Sequence, residues 1–170
     1  MLDFDVGAFL EEPIRPASVA TVTASGSPAL ATMWFIFEDE RFWFHTPGER
    51  SPFVKVGRAL RTVATMVETF DPNGRVMQVR ATGPAEICAL DGERVNRLYD
   101  RYLGPSGKWS NDWKMQADDR SYSLWRMTPE SGVAIQFPNH CDAGGPFRWN
   151  SHGDFIEAVR AARRSPAPRT

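Results

Sequence analysis

The residues best suited to chemistry form a short basic cluster, Arg50, Ser51 and Lys55, at a predicted helix start. An aromatic segment at 41–44 stops at a Pro–Gly turn, after which Ser51 suits the N-cap and Pro52 suits the first helical position. The free N–H groups and the positive dipole end of such a start attract an anion. The cluster therefore indicates a seat for a phosphate, the group that anchors many cofactors. The alternative is a capped surface helix with solvated charges.

Composition and charge exclude several classes of protein. At 170 residues the chain is long enough for one well-cored domain, and its formal net charge of -1 gives no reason to expect nucleic acid or a membrane as partner. No apolar run is long enough to cross a membrane, and the acidic start is unlike a signal peptide, so we expect a cytoplasmic protein. The two cysteines and three histidines lack the spacing of a disulfide framework or a metal site, so no metal is expected.

Aromatic residues are unusually abundant, at 12% of the chain, with six tryptophans and eleven phenylalanines. Such side chains fill a bulky core, line a ligand pocket or form an oligomer interface. The sequence leaves these interpretations open.

Hydrophobic periodicity and turn signals predict a mostly β chain with flanking helices. The predicted strands cover residues 18–24, 29–37, 41–46, 61–70, 75–88, 121–127 and 132–137. The predicted helices cover residues 4–12, 52–60 and 91–103, with a short amphipathic piece at 155–163. Because the strands follow one another in hairpins without regular helical crossovers, they predict an antiparallel β-barrel. We expect one barrel domain at 1–138 with a helical insertion at 91–118, followed by a loop-like, partly disordered extension at 139–170.

The order of several short motifs carries a family resemblance. A turn at 25–28 is followed by Thr-Met-Trp at 32–34, an acidic turn at 38–40, the basic cluster, and a Gln-Val-Arg-x-x-Gly run at 78–83. This order resembles that of the pyridoxamine 5'-phosphate oxidase-like FMN-binding split barrels, which include the flavin and deazaflavin oxidoreductases. The resemblance implies a six-stranded antiparallel split barrel that forms a homodimer with two cofactor sites at the subunit interface.

The resemblance also implies which residues bind the cofactor. These nine residues are Thr32, Met33, Trp34, His45, Thr46, Arg50, Ser51, Lys55 and Gln78. In the family pattern the basic cluster holds the phosphate, the first three residues lie along the flavin ring, the next two lie near the ribityl chain, and the glutamine reaches in from a neighbouring strand. Arg58 and Arg61 are interpreted as solvated charges that could extend the basic site. No catalytic residue is identified.

The function implied by the resemblance is that of a flavin-dependent oxidoreductase, which transfers hydride to or from a small organic substrate. The expected cofactor is FMN, with a deazaflavin coenzyme as the alternative. A true pyridoxamine phosphate oxidase is not expected, because residues 132–137 lack the family's Trp-bearing strand and its Arg and His substrate motif. Two other functions stay open: a flavin-binding carrier without catalysis, and a haem-binding split barrel with His45 or His140 as axial ligand.

Overall fold

One curled antiparallel sheet organises the computed structural model, which describes residues 4–48, 50–59, 61–70, 74–137 and 146–164. Its nine strands are β1 (Ala17–Val22), β2 (Pro28–Met33), β3 (Ile36–Glu38), β4 (Arg41–Pro47), β5 (Thr62–Phe70), β6 (Val76–Ile87), β7 (Tyr122–Met127), β8 (Ser131–Phe137) and β9 (Phe147–Trp149). The α-helices of the described residues are α1 (Val6–Glu11), α2 (Pro52–Arg58), α3 (Gly92–Leu103), α4 (Asn111–Asp118) and α5 (His152–Arg164). None of these helices has the length and apolarity to cross a membrane. The predicted mostly β barrel with flanking helices is confirmed.

The long strand β6 joins two halves of the sheet. Most of its length pairs with β5 and β8, whereas its last residues, 85–87, pair with β7. Gly83 lies where the strand changes partners, and a Cβ on this residue would overlap the carbonyl oxygen of Thr128. Only glycine allows the two backbones to approach so closely. The half formed by β2, β1, β5, β8 and β9 and the half formed by β7, β4 and β3 therefore share this single strand.

Alternate residues of β4 face two separate cores. Phe44 stacks on Trp125 inside the barrel, with ring centroids 4.3 Å apart. On the other face, Trp43 is buried in a second cluster with Tyr99 of α3 and with Trp109. Both clusters are rich in aromatic side chains. Core packing therefore accounts for much of the high aromatic content.

The predicted strand at 29–37 is wrong as a single element, because the chain leaves the sheet between β2 and β3. Trp34 turns towards α3 and stacks on Tyr102, with ring centroids 4.7 Å apart and an interplanar angle of 3°. The backbone N–H of Phe35 donates to the Tyr102 hydroxyl at 3.1 Å. A tyrosine side chain thus takes the place of a neighbouring strand, and one predicted strand becomes two.

Helix α3 is anchored on the turn between β3 and β4 by ion pairs. The guanidinium groups of Arg97 and Arg94 contact the Glu38 carboxylate at 2.7 Å and 3.0 Å. The Arg97 hydrogen bond, with help from Arg94, lowers the pKa of Glu38 despite partial burial. A 3-10 turn at Ser106–Lys108 follows α3, and α4 then occupies most of the segment at 109–119, for which the sequence predicts no definite structure. The helical insertion therefore lies against the barrel as a fixed layer.

The described part of the C-terminal extension is more regular than the predicted loop. Strand β9 pairs with β8, and α5 follows it as a longer helix than the predicted amphipathic piece. The residues that these elements bury in the barrel core are Trp149, Phe155 and Val159. Residues 138–145 and 165–170, which include most of the predicted disordered tail, lie outside the described residues.

Replacing Gly83 with alanine is expected to destabilise the fold, because the added methyl group meets the backbone of Thr128, the residue directly after β7. We expect the free energy of unfolding, measured by urea titration, to fall by about 2 kcal/mol or more. Gly92→Ala is the control, since a Cβ at this helical position meets no atom within 4 Å. Its effect should stay within about 1 kcal/mol of zero. Equal losses for the two variants would contradict the close-approach argument.

Candidate functional site

A pocket of about 550 Å³ opens where the end of β4, helix α2 and the start of β7 meet. The described residues that line it are Pro47, Gly48, Arg50, Arg58, Arg120, Ser121 and Ser123. Three of these side chains are exposed guanidinium groups, and two are hydroxyls. The lining is therefore cationic and rich in hydrogen-bond donors.

Strands β4 and β7 meet closely at the floor of this pocket. The backbone N–H of Gly48 donates to the carbonyl oxygen of Ser121 at 2.7 Å. A Cβ on Gly48 would overlap that same oxygen, so the approach requires glycine. One wall of the pocket is thus tied directly to the other.

A turn between α4 and β7, residues 119–121, presents Arg120 to the pocket. The Asp119 carboxylate accepts a hydrogen bond from the backbone N–H of Ser121 at 2.8 Å. The Asp119 carbonyl accepts another from the N–H of Tyr122 at 3.0 Å. The bonds to Ser121 lower the pKa of Asp119. The Asp119 side chain is therefore committed to holding the turn.

The predicted phosphate-binding residues are divided by the structure. Arg50 lines the pocket, whereas Ser51 and Lys55 are not among the described residues that do. Ser51 occupies the N-cap position of α2 but makes no side-chain capping bond, and Pro52 begins the helix as predicted. Lys55 is exposed on the helix surface. Phosphate binding by these residues stays a prediction.

Sequence reasoning missed part of the pocket lining. The sequence leaves open that Arg58 extends the basic site, and this residue at the end of α2 does line the pocket. The residues that sequence reasoning missed, Arg120, Ser121 and Ser123, are far away in the chain. Only the pairing of β4 with β7 brings them to α2. No local spacing could have indicated them.

His45 lies on the opposite side of the β4–β7 pair, in a buried polar cluster. Its Nδ1 is 3.4 Å from the Tyr99 hydroxyl, which also accepts a hydrogen bond from the Gln116 amide at 3.0 Å. The Tyr122 ring lies 5.1 Å from the imidazole, centroid to centroid. Among the described residues, the buried Nε2 of His45 has no hydrogen-bond partner. The imidazole thus offers one free nitrogen in an otherwise packed environment.

Burial controls the protonation of this cluster. It lowers the pKa of His45 to about 4, an effect that the Asp119 carboxylate only partly offsets. Burial also raises the pKa of Tyr99 to about 12. Both groups are therefore neutral near neutral pH. A neutral imidazole can accept a hydrogen bond or ligate a metal, but it cannot attract an anion by charge.

Thr46 and the residues predicted along the flavin ring pack in different parts of the structure. The Thr46 hydroxyl accepts a hydrogen bond from the Trp125 indole at 3.1 Å inside the barrel, so it faces away from His45. Met33 packs, partly buried, against the same core. Trp34 contacts the rings of Tyr102, Trp113 and Tyr99 beside the helical insertion, at centroid distances of 4.7, 4.8 and 5.8 Å.

Thr32 and Gln78 lie on the outer face of the sheet, opposite the core. The amide of Gln78 donates to the Glu68 carboxylate at 2.8 Å and accepts from the Arg80 guanidinium. Thr32 is exposed on β2. Within one subunit the nine predicted residues therefore lie in four separate places: the outer face, the barrel core, the contact with the helical insertion, and the segment around α2. Their joint role at a cofactor stays a prediction.

His45 is expected to make the protein less stable in mild acid. The unfolded chain protonates this residue near its ordinary pKa of 6.5, but the folded chain does so only near 4. Between these values the unfolded state binds more protons, so the free energy of unfolding falls as the pH is lowered. From about pH 7 to about pH 5.5 the His45 contribution to this loss is about 1 kcal/mol.

The measurement is urea unfolding of the unchanged protein and of His45→Gln at both pH values. The His45→Gln variant should lose this part of the pH dependence. His152→Gln is the control. Burial also lowers the pKa of His152, so this variant measures how much of the pH dependence of stability comes from His152. An unchanged pH dependence in His45→Gln would show that other groups cause it.

The comparisons with known proteins agree with this architecture. The family model of pyridoxamine 5'-phosphate oxidase matches residues 5–135. No protein of curated function matches the chain in sequence.

Several solved structures share the fold at low sequence identity. A conserved hypothetical protein of Mycobacterium tuberculosis is 20% identical over 92% of this chain and 88% of that chain, with a TM-score of 0.60. General Stress Protein 26 of Bacillus anthracis is 20% identical over 84% and 95% of the two chains, with a TM-score of 0.55. The haem storage protein HutZ of Vibrio cholerae is 16% identical over 76% and 89%, with a TM-score of 0.57. Because the family match spans most of the described chain and the fold is the same split barrel, the chain belongs to the pyridoxamine 5'-phosphate oxidase family.

Proposed function

We propose that the protein is an oxidoreductase that uses FMN, or alternatively a deazaflavin coenzyme, with the cofactor phosphate seated in the arginine-lined pocket. The observation that carries the proposal is that three arginines and two serines line one pocket at the end of β4. Membership of a family whose described activity is that of an oxidase supports it.

The chemistry of the pocket fits a phosphate ester. A guanidinium group presents a planar fork of N–H donors that matches phosphate oxygens, and charge-assisted bonds of this kind are stronger than neutral ones. The serine hydroxyls add donors without charge. A volume of about 550 Å³ lies within the range of small-molecule sites, so the pocket has room for more than the phosphate alone. Because the arginines are exposed, we expect their attraction to weaken with added salt.

The cofactor, when bound, would supply the hydride chemistry, while the chain would bind and orient it. The proposed substrate is a small organic molecule. Vitamin B6 phosphate oxidation is not proposed, because the sequence at 132–137 lacks the basic substrate motif expected for it. A cytoplasmic location is part of the same proposal. A flavin-binding carrier without catalysis would use the same pocket and would differ only in lacking turnover.

The homodimer of this proposal is supported by the outer face of the sheet. Leu30 and Val22 are 75% and 58% exposed on that face. Cross-strand pairing places them on the same side as Thr32 and Gln78, two of the residues predicted to contact the cofactor. An exposed apolar surface of this kind is typical of a protein–protein interface. A cofactor site shared by two subunits would use this face as well as the pocket.

The phosphate seat is tested by comparing Arg50→Ala with Lys55→Ala. Arg50 lines the pocket and Lys55 does not, so we expect Arg50→Ala to weaken FMN binding about tenfold or more and Lys55→Ala to have a much smaller effect. Neither change should alter the binding of riboflavin, which lacks the phosphate. Dissociation constants are measured by quenching of flavin fluorescence. Equal weakening of FMN and riboflavin by Arg50→Ala would place the phosphate elsewhere, and the reverse order of the variants would favour the sequence-based site.

Haem binding is the second candidate, and the free nitrogen of His45 favours it. A neutral imidazole with an unpartnered Nε2 is a suitable iron ligand. The fold is also shared with proteins described as haem storage or haem binding. Against it, His45 is only 8% exposed and packs against two tyrosine rings, so iron could reach it only after a local rearrangement. His140, the other candidate ligand, lies outside the described residues.

The visible spectrum of the purified protein separates these candidates. We expect the paired flavin bands, or the single band of a deazaflavin, and bleaching of the band on reduction. A Soret band that disappears in His45→Ala but persists in His152→Ala would establish haem binding and overturn the flavin proposal. A bound flavin that no donor and acceptor can reduce and reoxidise would leave the carrier function.

A further inference from the structure

The turn between α4 and β7, residues 119–121, adds a third arginine to the pocket that is also lined by Arg50, which precedes α2, and Arg58, which ends it. We propose that Arg120 of this turn is a direct ligand of the phosphate group and that Asp119 is the residue that positions it. Ser121 and Ser123 would add hydroxyl contacts from the same wall. The inference rests on the proposed phosphate seat and extends it to an element that the family resemblance does not assign.

Three hydrogen bonds hold the turn in place. The Asp119 carboxylate accepts from the Ser121 N–H at 2.8 Å, and its carbonyl accepts from the Tyr122 N–H at 3.0 Å. The Ser121 carbonyl in turn accepts from the Gly48 N–H at 2.7 Å, across the pocket floor. The Cα of Arg120 is therefore fixed relative to β4 before any ligand arrives. Such preorganisation reduces the entropy lost on binding.

The position of Arg120 complements that of the other cations. Arg50 and Arg58 belong to the segment around α2, whereas Arg120 lies just before β7, the strand that pairs with β4. A phosphate seated between them would be contacted from two separate elements. Contacts from two directions favour a compact dianion over a single carboxylate, because a phosphate has oxygens to offer to each wall.

Asp119 acts through the turn and not on the ligand. A carboxylate next to Arg120 would compete with the phosphate if it lined the pocket, but Asp119 is not among the described lining residues. The hydrogen bonds from Ser121 lower its pKa and keep the carboxylate ionised and directed at the turn. On its other side the turn is backed by the Tyr122 ring, which packs near His45. Loss of the carboxylate would therefore loosen Arg120 without removing a contact to the ligand.

Inorganic phosphate is the probe for Arg120, so the test does not depend on any redox cofactor. A ligand that binds the folded state raises the Tm in a saturable way. We measure this rise at constant ionic strength, set with chloride, for the unchanged protein and for Arg120→Ala, Arg120→Lys and Arg148→Ala. We expect phosphate to bind about tenfold more weakly to Arg120→Ala and less weakly than that to Arg120→Lys, which keeps the charge but loses the fork. Arg148, an exposed arginine outside the pocket lining, is the control and should leave binding unchanged.

The role of Asp119 is tested by a double-mutant cycle. Asp119→Asn should weaken phosphate binding several-fold in the unchanged background and have no further effect in Arg120→Ala, because its influence passes through the arginine. A merely structural role would lower binding by the same factor in both backgrounds, and that result would overturn the positioning assignment. The absence of saturable phosphate stabilisation, or an Arg120→Ala variant that binds phosphate normally, would overturn the inference as a whole.

The outcomes for this inference and for the proposed function are distinct. If FMN binding depends on Arg50 but not on Arg120, the flavin proposal stands and the inference fails. If phosphate binding depends on Arg120 while the purified protein holds no flavin or deazaflavin, the anion site stands and the proposed function fails.

Discussion

The close approach of two backbones at Gly83 and Thr128 is the constraint on which the rest of the structure depends. It lets one strand, β6, serve both halves of the sheet, and it fixes where β7 begins to pair with the end of β6. Strand β7 then pairs along its whole length with β4. At the far end of that pair Gly48 meets Ser121 and the arginine-lined pocket opens. The position of the pocket therefore depends on the Gly83–Thr128 contact at the opposite end of β7.

The two faces of β4 have different surroundings. On one face Phe44 and Thr46 point into the barrel, where the threonine hydroxyl accepts a hydrogen bond from the Trp125 indole. The other face holds His45 against Tyr99 of the helical insertion and Tyr122 of β7, and burial keeps its imidazole neutral. Neighbouring residues that a family pattern assigns to one cofactor thus have different surroundings within one subunit. A site completed by a second subunit, as in the proposed homodimer, would reconcile the pattern with this division.

Much of the fold could be predicted from the sequence because its signals are local. The strand alternation, the turn residues and the helix start at Ser51 and Pro52 each depend on a few neighbouring residues, and the structure has the helix where it was predicted. The predicted strand at 29–37 failed because a hydroxyl from Tyr102 satisfies a backbone N–H that the local pattern assigns to the sheet. The sequence predicted too little regular structure in the C-terminal extension. Its few apolar residues give a weak local signal, and they become buried only because the folded barrel provides a core for them.

The candidate site shows even more clearly that local signals do not predict contacts between distant residues. By itself the sequence determined that basic residues cluster around the start of α2, and from this cluster it predicted an anion seat after an aromatic strand in a split-barrel chain. Only the tertiary structure decided which cations line the same pocket. It brought Arg120 to Arg50 through the pairing of β4 with β7, and it left Lys55 on the helix surface. The physical reason is that charge and periodicity are properties of short segments, whereas the meeting of two walls depends on strand register and on backbone contacts between residues far apart in sequence.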